Sequence, residues 1–237
     1  MSDTEPGFGG STRQAFLFDI DGTLVDSVYP HVDAWLRAFA DCGVTIPAWE
    51  IHRQIGKDGS LLVQALLSAH GVDEASDRYQ DIADRASGGH SENYLARADH
   101  LAVLPGARAL IRLAAERGMT VVLATSAPQQ ELDILRRLLD VEQWVDAVTS
   151  GEDVDTAKPD ASVVQVALDR AGTSAADAIM FGDATWDAQA ATKIGVRSVG
   201  LLSGGIGAAE LTDAGAARVY RDPADIVEHF DEVAARR

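Results

Sequence analysis

Six short apolar runs punctuate this chain, and their spacing limits the folds open to it. They are "QAFLFDI" (14–20), "MTVVLAT" (119–125), "WVDAVTS" (144–150), "DAIMFGD" (177–183), "VRSVGLL" (196–202) and "ARVY" (217–220). Each is too short for a buried helix and rich in branched or aromatic residues, as strands covered on both faces are. Helical spacing fills the gaps at 106–117, 128–139, 160–171, 185–194, 208–214 and 223–236. Strand and helix alternating in this way predict an α/β fold, a doubly wound, Rossmann-like parallel sheet with helices on both faces.

The first interval breaks that rhythm. Residues 28–98 carry helical spacing interrupted by Gly and Pro, with no strand pattern among them. An all-helical cap is therefore expected over 28–98, inserted into an α/β core made of 13–27 and 99–237, with 1–12 as a mobile tail. Both connections to the insertion lie beside the carboxyl end of the first strand. Open α/β sheets bind ligands there, so the cap is placed to act as a lid.

A net charge of −17 with only three lysines, Lys57, Lys158 and Lys193, speaks against nucleic acid or an anionic membrane as partner. It reads as a solvated surface, and adaptation to high salt would leave the same signature. Cys42 is the sole cysteine, which excludes an intramolecular disulfide and a thiolate metal site and fits a reducing cytoplasm. No apolar run reaches the length of about 18 residues that crosses a bilayer. The acidic, Gly-rich start of the chain is unlike a signal peptide. The patterning asks for no more than a monomer or weak homodimer.

The chemistry-bearing residues gather at strand ends. "FLFDIDGTLVDS" (16–27) closes the first apolar run with Asp19 and Asp21, then turns at Gly22. Strand alternation sends both carboxylates to one side, where they repel unless a cation lies between them or one holds a proton. A lone Asp-Gly would read as a turn cap, but two acids ending a buried strand point to catalysis. Thr125 and Ser126 end a second strand ahead of Pro128, forming either a cradle for an oxyanion or phosphate or a plain helix cap. Lys158, in "TAKPDAS", is placed to neutralise a bound phosphate or else faces solvent. Asp183 and Asp187, one helical turn apart in "GDATWDAQA", suit a hard cation such as magnesium, or serve as helix-start acids. A parallel sheet brings all four stretches into one crevice.

These stretches, taken in order, resemble the four motifs of the haloacid dehalogenase-like (HAD) hydrolases, in the group that includes phosphoglycolate phosphatase and β-phosphoglucomutase. The resemblance covers about residues 14–222, the helical insertion matching that group's cap. It implies that Asp19 is the nucleophile of an aspartyl-phosphate and Asp21 the general acid, then base. It further implies that Thr125 and Lys158 hold the transferring phosphoryl and that Ser126 adds an N–H donor. Asp19, the backbone carbonyl of Asp21, and Asp183 would bind magnesium, with Asp187 in support. The presence of Asp21 favours phosphoryl transfer over carbon–halogen cleavage, since a halide leaves without a proton.

The expected activity is a magnesium-dependent phosphatase acting on a small phosphorylated metabolite, phosphoglycolate-like or sugar-phosphate-like. A phosphomutase is the alternative within the family, and a catalytically silent binding module the alternative outside it. His31, twelve residues after Asp19, and Lys57, in the Gly-bounded loop "IGKDGS" (55–60), are candidate substrate contacts. His52, His70, His90, His100 and His229 lack ligand spacing and read as structural or surface residues. Trp35, Trp49 and Trp144 read as packing residues, whereas Trp186, inside the fourth motif, is a candidate pocket wall.

Overall fold

The computed structural model describes residues 13–153, 158 and 160–235. The expected tail over 1–12 lies outside them. The elements run β1 (Ala15–Phe18), β2 (Val25–Asp26), α1 (Val28–Asp41), α2 (Ala48–His52), α3 (Gly59–Ala69) and α4 (Asp77–Leu95). They continue with β3 (Ala102–Val103), α5 (Ala107–Glu116), β4 (Thr120–Leu123), α6 (Gln129–Leu139), β5 (Ala147–Val148), α7 (Ser162–Ala171) and β6 (Ala178–Gly182). The chain closes through α8 (Thr185–Lys193), β7 (Arg197–Leu201), α9 (Ala208–Asp213), β8 (Ala216–Tyr220), α10 (Pro223–Glu228) and α11 (Phe230–Ala234).

Six strands form one parallel sheet in the order β5-β4-β1-β6-β7-β8. The polypeptide runs outward from β1 in both directions, so β1 flanks the crevice where such sheets bind ligands. Alternate residues of β1 serve opposite faces. Phe16 and Phe18 pack with Phe181 and the α5, α6 and α10 side, while Ala15 and Leu17 pack with Met180 and α7. The aromatic contacts are close, with ring centroids 4.9 Å apart for Phe16–Phe181, 4.7 Å for Phe18–Phe181 and 5.7 Å for Phe16–Phe230.

Helices α1 to α4 lie between β1 and β4 in the chain and carry a separate apolar cluster around Trp35, Phe39, Ile51, Leu66 and Ile82. The two crossings to this layer pair with each other, β2 running antiparallel to β3 with Val25 opposite Val103. Two-residue strands are too short for alternation to register in sequence, which is why the pattern gave no sign of them.

Two expected elements come out differently. The strand over 144–150 contracts to Ala147–Val148 behind a single 3-10 turn at Glu142–Trp144. It is an edge strand, and at its start Asp146 donates its N–H to the Val121 carbonyl at 2.9 Å while its carboxylate accepts the Val121 N–H at 2.8 Å. The last helix breaks at His229, whose side chain reaches back to the Asp225 carbonyl at 2.9 Å, and Phe230 turns into the core beneath Phe16. Among the described residues no helix is long and apolar enough to cross a membrane.

Phe16 is fully buried and touches three other phenyl rings. Truncation to Ala therefore removes both burial and ring contacts, and Phe16→Ala is expected to lower unfolding free energy by about 3–5 kcal/mol. Urea denaturation followed by circular dichroism measures it.

Candidate active site

Asp19 is the first residue beyond β1. Its backbone N–H donates to the Phe181 carbonyl at 2.9 Å, so the β1–β6 ladder fixes where its side chain begins. The chain then wraps tightly, the N–H groups of Thr23, Leu24 and Val25 all donating to the Ile20 carbonyl. Gly22 makes the turn possible with φ +77°, and a Cβ there, or at Gly204, would overlap the Asp183 carboxylate. Hence Asp183, at the end of β6, sits hard against the first loop, and its Oδ1 accepts from the Thr23 hydroxyl at 2.9 Å.

Lys158 completes this cluster. Its ammonium lies 2.6 Å from Asp19 Oδ1 and 2.6 Å from Asp187 Oδ1, and the residue is 2% exposed. Asp187, in the first turn of α8, also accepts from the Ala184 N–H at 3.1 Å, so it caps its helix and belongs to the acid cluster at once. One oxygen each from Asp19, Asp183 and Asp187 falls within 4.8 Å of the others. Burial, reinforced by Asp187 and Asp21, pushes the Asp19 carboxyl up to about 7 in spite of Lys158. Burial, then Asp187 and Asp19, holds Asp183 well above the usual carboxylate range. Conversely, burial alone would lower the Lys158 pKa, but Asp187 and Asp19 raise it. Three buried carboxylates against one ammonium leave an excess of negative charge with only oxygen donors, a set that fits a hard divalent cation.

Asp21 faces the same space with different partners. Its Oδ1 accepts from Ser27 Oγ at 2.5 Å and lies 3.3 Å from His31 Nε2, with the Tyr94 hydroxyl at 3.5 Å. Burial works to raise this carboxyl, yet His31 and Ser27 outweigh it and hold it below the usual value. Burial likewise opposes the charge on His31, but Asp21 raises its pKa overall. His31 stacks on Tyr94 with centroids 3.9 Å apart, and its Nδ1 meets His90 Nε2 at 3.0 Å. Burial and then the charge of His31 press His90 down to about 2, so it is neutral.

Asp19, Asp21, Thr125, Ser126, His31 and Lys158 all line one cavity of about 490 Å³ between the sheet and the helical layer. Lys57 also lines it, but its ammonium bonds Gln54 Oε1 at 2.7 Å and lies over the Trp186 ring at 4.2 Å. Asp183 and Asp187 are packed behind that wall, 4% and 1% exposed. Thr125 Oγ1 accepts from the Ala127 N–H at 3.0 Å, which leaves its own proton free to donate into the cavity. Trp186 borders a smaller neighbouring cavity, whereas Trp35, read as packing, borders the main one. Sequence reasoning missed the part His90 plays and did not single out Glu131, Ser91 or Tyr94. Their only signal was helical spacing, which does not say which face meets the cavity.

A family model described as haloacid dehalogenase-like hydrolase matches residues 14–195. The chain is 30% identical over 219 residues to a phosphoglycolate phosphatase of Rhodospirillum rubrum, covering 90% of this chain and 89% of that one. It is 27% identical over 227 residues to a phosphorylated carbohydrates phosphatase of Thermotoga maritima, covering 93% and 99%. The solved structure of a hydrolase from Pseudomonas syringae superposes with a TM-score of 0.87 at 34% identity, over 94% of this chain and 100% of that one. The strand-end acids, the buried lysine and the matched extent agree, and the chain belongs to the haloacid dehalogenase-like hydrolases.

Proposed function

We propose that the protein is a magnesium-dependent phosphatase that hydrolyses a small phosphorylated metabolite through an aspartyl-phosphate on Asp19. The observation that carries this reading is the buried Asp19, bonded to Lys158 at 2.6 Å and set beside Asp21 in one cavity. The relatives' names supply two substrate classes, phosphoglycolate and phosphorylated carbohydrates.

In the first step an Asp19 carboxylate oxygen attacks phosphorus, and the bond from phosphorus to the leaving oxygen breaks as the new one forms. Lys158 offsets the repulsion between carboxylate and phosphoryl, and the Thr125 hydroxyl and Ser126 N–H donate to phosphoryl oxygens. The leaving oxygen takes a proton from the Asp21–His31 pair, which shares it across the 3.3 Å contact between Oδ1 and Nε2. In the second step water gives a proton back to Asp21 and attacks the same phosphorus. Inorganic phosphate departs and the Asp19 carboxylate is restored. Asp19, Asp183 and the Asp21 backbone carbonyl would hold magnesium, with Asp187 in support, and the ion when bound neutralises charge on the phosphoryl.

Release of inorganic phosphate from p-nitrophenyl phosphate by the purified protein tests the reading. Interconversion of sugar phosphate isomers with no net release would replace it with a phosphomutase. Asp19→Asn removes the nucleophile and is expected to lower kcat by roughly a thousandfold or more with the folded state retained by circular dichroism. EDTA is expected to abolish turnover and added magnesium to restore it. Calcium, with its looser and higher coordination, is expected to restore it poorly in the same phosphate-release assay.

A further inference from the structure

The cavity wall holds a buried acid for which the reaction has no use. Glu131, in the first turn of α6, is 4% exposed and lines the cavity. An acid at that point of a helix ordinarily serves its own N–H groups. Glu131 instead shares the cavity wall with Ser91 of α4, and its charge reaches His31 and Tyr94. Burial and the charge of Asp21 raise its pKa, while His31 and Ser91 favour the ionised form. A carboxyl kept in such a place costs desolvation unless something there bonds to it.

The charges around it decide what that can be. A substrate bearing a carboxylate next to its phosphoester needs a free cation, and those lining the cavity are engaged. Lys158 is divided between Asp19 and Asp187, His31 pairs with Asp21, and Lys57 turns its ammonium to Gln54 and Trp186. Among the described residues no arginine lines the cavity. Its polar wall offers neutral groups instead, from Ser60, Ser87, Ser91, Gln129 and His90. These, with the carboxyls of Glu131, Asp58 and Glu152, match the alternating donors and acceptors of a polyol and repel a second carboxylate.

We propose that Glu131 determines specificity by accepting hydrogen bonds from the hydroxyls of a sugar or polyol leaving group and repelling a leaving group that carries a carboxylate. This rests on the phosphatase reading and narrows it to phosphorylated carbohydrates over phosphoglycolate.

Steady-state kinetics with ribose 5-phosphate and 2-phosphoglycolate test it on the wild-type chain, Glu131→Gln and Ser91→Ala. The wild type is expected to favour ribose 5-phosphate in kcat/KM by roughly a hundredfold or more. In Glu131→Gln that ratio falls by about tenfold or more, chiefly through a gain with 2-phosphoglycolate. Ser91→Ala, which leaves α6 untouched, moves the ratio the same way by a smaller factor. A wild type that prefers 2-phosphoglycolate, or a Glu131→Gln ratio within about threefold of wild type, overturns the proposal. p-Nitrophenyl phosphate separates the two levels. Turnover of it alongside either overturning result removes the role of Glu131 alone, whereas no phosphate release from any of the three compounds removes the phosphatase reading and this proposal together.

Discussion

Lys158 lies between Asp19 and Asp187, 2.6 Å from each, at 2% exposure. Burying an ammonium is expensive unless carboxylates surround it, and burying carboxylates is expensive unless a cation does. Here each needs the other, and strands β1 and β6 must end, and helix α8 begin, where they do for the groups to meet. The same residue also accepts, through its carbonyl, the N–H of Asp58 at the start of α3 at 3.1 Å. One lysine thus holds the charge of the site and ties the helical layer to the sheet.

The two acids of the opening motif are separated by what surrounds them, although only Ile20 stands between them in sequence. Asp19 is pressed upward by burial and neighbouring acids, while Asp21 is drawn downward by His31 and Ser27. Pairs of carboxyls pushed apart in this way can take different tasks in one reaction. The glycines at 22 and 204 contribute by omission, since any side chain there would displace Asp183.

Much of this could be read from residue order, and the reason is geometric. Asp19, Thr125 and Asp183 each close an apolar run, and a parallel sheet delivers the ends of its strands to one edge whatever the details of packing. Asp187 followed because a helical turn separates it from Asp183. Helix faces carry no such guarantee. Glu131, Ser91 and His90 reach the cavity, and Tyr94 reaches Asp21, because α4 and α6 are rotated so as to bury Ile82, Leu132 and Leu135, and that rotation is a property of the assembled core. Lys57 shows the converse. Its loop stands where expected and borders the cavity, but the long side chain turns its ammonium to Gln54 and Trp186. The β2–β3 pair escaped notice for want of length.

Asp21 belongs to the sheet, but two of its three partners do not. Ser27 follows in the same loop, whereas His31 and Tyr94 come from α1 and α4. Any motion that draws the helices from the sheet strips Asp21 to its bond with Ser27 and carries the imidazole away. In the proposed mechanism, the proton that the leaving oxygen requires therefore arrives with the roof of the cavity. On that proposal, enclosing the substrate and arming the acid are one event, so a phosphoryl group exposed to bulk water meets a nucleophile with no proton donor beside it.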